Sequence, residues 1–354
     1  MNPMILYQVM SELVNQLSLE CRVRRVLKDF ALGIIASGSC QLEAVASALA
    51  PRGKVESQYR RLQRFLANER VEMAQLQAEW AEMVVKTMRA EQVVLLVDET
   101  ALSDHLKAMV VGIWSAGGCV PLAWRCYPPH IYPSEGQVQL ITTLLKRVLP
   151  TIPVNLPVWL LADRGIGTSP ALMQSVEAQG CHVLFRVQGS TRFRNLDGQE
   201  QSLHNLGIRG QSWQSVGDVF KKAGWLPAHV TVTWDADYDH PWCLVSSTPI
   251  PDHAYAIRFD QEVSFRDLKS DGFNWQRSHI WLADHAERLL LVLALSYWVV
   301  IALGQRLPVP RSGRTARWSA FHRGKAALNT FFRPTIAPLL PLPPPPSFIS
   351  CVVQ

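Results

Sequence analysis

Two stretches decide the fold: VVLLVDE, residues 93–99, and VWLLADRG, residues 158–165. Each is a continuous apolar run of strand length that ends in an aspartate, Asp98 in the first and Asp163 in the second. Uninterrupted apolar strands belong in a sheet covered on both faces. The intervening sequence supplies the cover: helical periodicity runs over 137–148 and 169–178, ahead of a further strand at 182–187. Met109–Ile113 and Val120–Trp124 flank Gly117 and Gly118 and predict a hairpin. The fold class is therefore α/β.

Outward from that centre, residues 1–88 read as a helical domain, with Leu62, Phe65 and Leu66 recurring at helical spacing among Arg60, Arg61 and Arg64. Residues 188–248 change to short β-branched runs with several tryptophans, a β-rich insertion within a unit spanning 89–304. Leu289–Leu303 is apolar but about 15 residues long, where a membrane span needs roughly 20. A buried core helix is expected, and no membrane. Residues 305–354 form a tail, basic and then proline-rich, expected to be extended or disordered; nine of the 23 prolines lie from Pro308 onward.

Composition narrows the function classes. A chain of 354 residues that is 48% hydrophobic can bury a large core, which excludes global disorder. Its seven cysteines are odd in number and include no C-x-x-C pair, so reduced thiols in a cytoplasmic protein are expected, not a zinc ribbon. The net charge of +6 is local. Seven basic residues and no acidic one lie between Gln305 and Pro334 (Arg306, Arg311, Arg314, Arg317, Arg323, Lys325, Arg333), which leaves the rest of the chain near neutral. A second cluster runs from Arg52 to Arg70. Two basic regions suit a polyanion such as nucleic acid, since each neutralised phosphate releases counterions; solvated basic faces are the plain alternative.

If the two Asp-terminated strands are neighbours, their carboxylates leave one edge of the sheet together, where α/β proteins place active sites. Singly, either aspartate is a common turn or helix-cap residue. A close pair repels unless a cation intervenes, and Mg²⁺ or Mn²⁺ suits such oxygen donors; two such ions are a standard device for in-line displacement at phosphorus. In YAIRFDQEVSFRDLK, Tyr255, Arg258, Glu262 and Lys269 advance by 3, 4 and 7 and fall on one helical stripe. Ile257 and Leu268 face the other way and predict the anchoring side. The stripe fits a carboxylate ligand set among phosphate-binding groups, or a solvated face with an Arg258–Glu262 pair.

The spacing Tyr-x2-Arg-x3-Glu-x6-Lys, with LVDET and LADRG ahead of it in that order, resembles a large group of bacterial insertion-sequence transposases with an Asp, Asp, Glu triad. The resemblance covers about residues 20–304. It implies an RNase H-like catalytic core with the β-rich insertion, preceded by a helical DNA-binding domain. It further implies a metal-dependent endonuclease and strand transferase in which Asp98, Asp163 and Glu262 hold two Mg²⁺ ions, with Mn²⁺ able to substitute. Arg258 and Lys269 would grip backbone phosphates and Tyr255 the terminal phosphate. A flipped base would stack on Trp242, with Trp234 as the alternative. The implied partners are the double-stranded DNA of terminal inverted repeats and of the target, with a homodimer formed on DNA and cut-and-paste excision through a hairpin. The tail after Pro334 departs from the family's usual C-terminal region, which leaves a catalytically inactive DNA-binding inhibitor as the second reading.

Overall fold

The computed structural model describes residues 3–332, apart from 51–52, 89, 103, 116, 252–253 and 310–317. Arg52, Arg311, Arg314, Arg317, Arg333 and the proline-rich end lie outside the described residues. Five helices open the chain: α1 (Pro3–Asn15), α2 (Cys21–Ser37), α3 (Leu42–Ala48), α4 (Val55–Leu66) and α5 (Met73–Lys86). Apolar spacing selects their inner faces: Leu62, Phe65 and Leu66 of α4 are buried, and Phe65 meets Phe30 of α2 edge-on at 6.1 Å. Gly38 ends α2 at φ 64°, a left-handed conformation natural to glycine, and donates to the Ile34 carbonyl.

The sheet has ten strands among the described residues: β1 (Val93–Leu102), β2 (Leu106–Ser115), β3 (Gly118–Tyr127), β4 (Val158–Ala162), β5 (His182–Val187), β6 (Arg192–Arg194), β7 (Glu200–Ser202), β8 (Gln211–Val219), β9 (Leu226–Trp234) and β10 (Trp242–Ser246). Their order is β3-β2-β1-β4-β5-β10-β9-β8-β6-β7. β1, β2 and β3 form an antiparallel meander, and β1, β4 and β5 run parallel. Parallel neighbours need crossovers, and α6 (Gly136–Val148) precedes β4 while α7 (Arg164–Gly167) and α8 (Pro170–Glu177) connect β4 to β5. The expected hairpin forms, but Ser115 pairs with Gly118, so the reversal falls one residue earlier than the glycine pair suggests. β10 returns beside β5, and the β-rich region extends the same sheet.

The helices at both ends of the chain share one apolar core with this sheet. Trp80 of α5 donates from Nε1 to the Pro121 carbonyl of β3 at 2.7 Å, and its ring meets Trp298 at 5.4 Å. After β10 come a 3₁₀ turn (Ala254–Arg258), α9 (Phe259–Arg266) and a π turn (Asp267–Asp271). Then α10 (Ala283–Arg306) runs for 24 residues. It is long and apolar enough to cross a membrane, yet 94% of its most apolar window is buried in the protein, as expected of a core helix.

The tail requires a correction. α11 (Ala320–Phe332) is a helix, not an extended segment. Ser319 opens it, its Oγ accepting from the His322 N–H. The helix also packs against α10 backbone to backbone, because a Cβ at Gly304 would collide with the Ala320 carbonyl and one at Gly324 with the Val300 carbonyl.

Candidate active site

Strand register builds the site. Val97 pairs with Ala162 and Ala162 with Phe185, so Asp98, Asp163 and Arg186 stand in one row across β1, β4 and β5. Asp98 accepts the Glu99 N–H at 2.9 Å, and Asp163 caps α7 by accepting the Ile166 N–H at 3.0 Å. Asp163 is therefore both strand-end acid and helix cap, and the two roles do not exclude one another.

The segment Tyr255–Asp271 brings the remaining residues to that row, although not as one regular helix. Its 3₁₀ start and π end alter the 100° step on which a single stripe depends. Tyr255 and Arg258 consequently turn into the protein, while Glu262 remains exposed. Leu268 is buried and Ile257 packs partly buried, as the expected anchors.

Arg258 is the centre of the arrangement. Its guanidinium lies 2.8 Å from Asp98 and 3.9 Å from Asp163, and it is paired with Glu262. Three acids far apart in sequence thus converge on one buried cation, and the helix pair with Glu262 is only part of what Arg258 does. Burial pushes the Asp98 carboxyl up to about 6; Arg258 opposes that shift, and Asp163 adds to it. Burial works against the charge on Arg258, but Asp98 and its other neighbours more than offset it and raise its pKa. Lys269 donates to the Ala101 carbonyl of β1 at 3.3 Å, and burial depresses its pKa against the pull of Asp98.

A cavity of about 430 Å³ opens here, lined by Asp163, Arg186, Gln188, Arg258, Phe259 and Glu262 among others. Tyr255 also lines it, but its hydroxyl donates to the Ala162 carbonyl at 3.3 Å and burial pushes the phenol well up. Trp242, partly buried at the start of β10, meets Tyr255 at 5.4 Å and Phe259 at 5.6 Å. Trp234 instead donates to the Tyr238 carbonyl at 2.9 Å. The α4 arginines divide: Arg60 pairs with Glu56 in solvent and Arg64 is exposed, whereas Arg61 is held at 2.6 Å by buried Asp29.

Sequence reasoning missed Arg186, Gln188, Phe259 and Gln261. Arg186 was accessible from register, being level with Asp163 on the next parallel strand; Gln261 faces away from the charged stripe and gave no spacing signal.

Among the described residues no group of three or more His, Cys, Asp or Glu side chains stands ready as a metal cage, and the acids are gathered around Arg258 instead. The donor chemistry nevertheless fits a hard divalent cation. All three groups are carboxylates, the oxygen donors such an ion takes.

Residues 109–299 match the family described as Transposase DDE domain; Asp163, Arg258 and Glu262 fall within the match, and Asp98 on β1 precedes it. A comparison with curated proteins returns no match. With more than half its length in that match, the chain belongs to the DDE transposases, DNA-binding enzymes of DNA transposition that generally use divalent metals.

Proposed function

We propose that this chain is a cut-and-paste transposase of the bacterial insertion-sequence group with the Tyr-Arg-Glu-Lys signature. Asp98, Asp163 and Glu262 are its metal-binding triad. The observation that carries the reading is the convergence of these three carboxylates on Arg258 at the edge of a mixed sheet. The order β3-β2-β1-β4-β5, an antiparallel meander beside two parallel crossover strands, supports an RNase H-like core.

When bound, a pair of Mg²⁺ ions would supply activation of the attacking water and stabilisation of the leaving 3′-oxygen. The chain's own residues do the rest. The carboxylates would hold the ions, Arg258 keeps the acids together, and Lys269 presents a point charge for a backbone phosphate. Trp242 and Phe259 offer aromatic faces beside the cavity, suited to a base displaced from the duplex during hairpin formation. Tyr255 is not assigned a nucleophilic role, because its buried hydroxyl is directed at the Ala162 carbonyl. Strand transfer then uses the freed 3′-hydroxyl at the same site, with a homodimer holding two ends.

The test is Mg²⁺-dependent nicking of DNA taken from either side of the coding sequence, where this reading expects terminal inverted repeats. Asp98→Ala, Asp163→Ala and Glu262→Ala should each lower cleavage on the order of 10²–10³-fold or more while end binding persists. Undiminished cleavage in any one of them rejects the triad. Specific end binding by the parent chain with no cleavage in Mg²⁺ or Mn²⁺ identifies a DNA-binding inhibitor instead.

A further inference from the structure

Gln261 precedes Glu262 on α9 but points the opposite way. It is 1% exposed, and its Nε2 donates to two backbone carbonyls, those of Leu96 at 3.2 Å and Val110 at 3.4 Å. The positions of these carbonyls are informative. Leu96 lies two residues before Asp98 on β1, and Val110 is the residue directly opposite Asp98 across the β1–β2 ladder. A single side-chain amide therefore joins the helix that carries Glu262 to β1, which bears Asp98, and to β2 beside it.

Packing alone does not account for an amide here. Its Oε1 is buried with no hydrogen-bond partner among the described residues. An unsatisfied buried acceptor is a standing penalty that leucine or methionine would avoid at similar volume. What the amide adds is direction, with both of its N–H groups committed to fixed backbone points. Two other side chains on α9 hold the helix to the meander: Asp260 accepts from Trp114 Nε1 at 2.7 Å, and Ser264 Oγ accepts from the Cys119 N–H at 2.7 Å. Those bonds fall on β2 and β3, whereas Gln261 reaches β1, the strand of Asp98.

We propose that Gln261 is a positioning residue that, alongside Arg258, fixes the separation between Glu262 and Asp98, and with it their capacity to share a divalent cation. This rests on the catalytic reading above. Mg²⁺ demands near-ideal placement of its oxygen ligands and Mn²⁺ serves as the more tolerant probe, so a loosened spacing should be felt more in Mg²⁺.

Two variants of the full chain test it. Gln261→Met keeps the length of the side chain and removes both donors; Gln261→Asn keeps the amide on a stem one methylene shorter. Three quantities are read: cleavage of end DNA in Mg²⁺ and in Mn²⁺, end affinity in EDTA, and the rise in thermal midpoint on adding Mn²⁺ without DNA. The expected result is end affinity within about 2-fold of the parent, a diminished Mn²⁺-induced rise, and a loss of Mg²⁺ cleavage of about 10–100-fold that Mn²⁺ partly restores. Folded variants that cleave like the parent, with an unchanged Mn²⁺ response, overturn the proposal. So does a loss that is equal in both ions and follows a lowered metal-free midpoint. If Gln261→Met does not fold, Gln261→Asn decides on the same criteria; failure of both to fold counts against a spacing role and for a general structural one. A parent chain that neither cleaves nor responds to Mn²⁺ rejects the catalytic reading itself, whereas a cleaving parent beside equally active variants rejects Gln261 alone.

Discussion

The two ends of the segment Tyr255–Asp271 treat buried acid in different ways. At its start, Asp98 shares Arg258 with two other carboxylates beside an open cavity. At its end, Asp267 is buried beneath α11, 3.8 Å from His322, with Oδ2 lacking a hydrogen-bond partner. Burial raises both, Asp98 to about 6 and Asp267 to about 7. His322 is itself driven toward the neutral form, by burial first and then by Lys325. One acid is thus placed where added positive charge can enter from solvent, the other where a proton is the accessible neutraliser. Similar shifts arise from sites with unlike uses, and the surroundings distinguish them.

The acids around Asp98 depend most on Arg258. Arg258→Ala leaves three acids around an uncompensated space and should cost about 2–4 kcal/mol in urea unfolding, below the full penalty of a broken buried pair because Asp163 and Glu262 remain partly hydrated. Unchanged stability would mean that the acids do not depend on this cation.

Next in size, the seal over Asp267 can be lifted. Gly304→Ala forces α10 and α11 apart and should destabilise by about 1–3 kcal/mol, read as a lowered urea midpoint.

The titration of Asp267 gives a smaller, signed effect. Its folded pKa lies above the unfolded value near 3.9, so the folded state holds the extra proton, and stability from this group is present below pH 4 and lost as pH rises through about 7. Asp267→Asn should flatten the pH profile of the melting midpoint and stabilise the protein by about 1 kcal/mol at pH 8, less than the full linkage because the new amide meets no hydrogen-bond partner at the position of Oδ2. A profile of unaltered slope would place the titration elsewhere.

The smallest change in stability is expected on α4, where cations sit in water. Arg60→Ala with Arg64→Ala should stay within about 0.5 kcal/mol of the parent. If α4 meets DNA, the same pair lowers the salt slope of binding by about one for each phosphate no longer neutralised.

The core strands were legible because their burial on both faces writes itself as an apolar run, and His182–Val187 forms over the same six residues that the sequence suggests. Asp98 and Asp163 followed from that reading, since the ends of parallel neighbours must emerge together. The signature segment was legible in composition but not in shape: residue spacing does not reveal a 3₁₀ start or a π end, and these decide which side chains turn inward. α11 was masked by its basic residues and the prolines beyond it, although the Ser319 cap and the close glycines are the features that build it. Gln261 had no signal at all, because an uncharged amide bonding to backbone leaves no pattern in sequence.

The pairing of Cys243 with Val187 has a wider consequence. Everything from Gln188 to Pro241 departs from one strand and re-enters on its immediate neighbour, a span of about 4.8 Å. Turns at the far margin can therefore lengthen, shorten or be exchanged without displacing the row formed by Asp98, Asp163 and Arg186. The outer strands behave as a cartridge, free to vary while the chemical frame stays fixed.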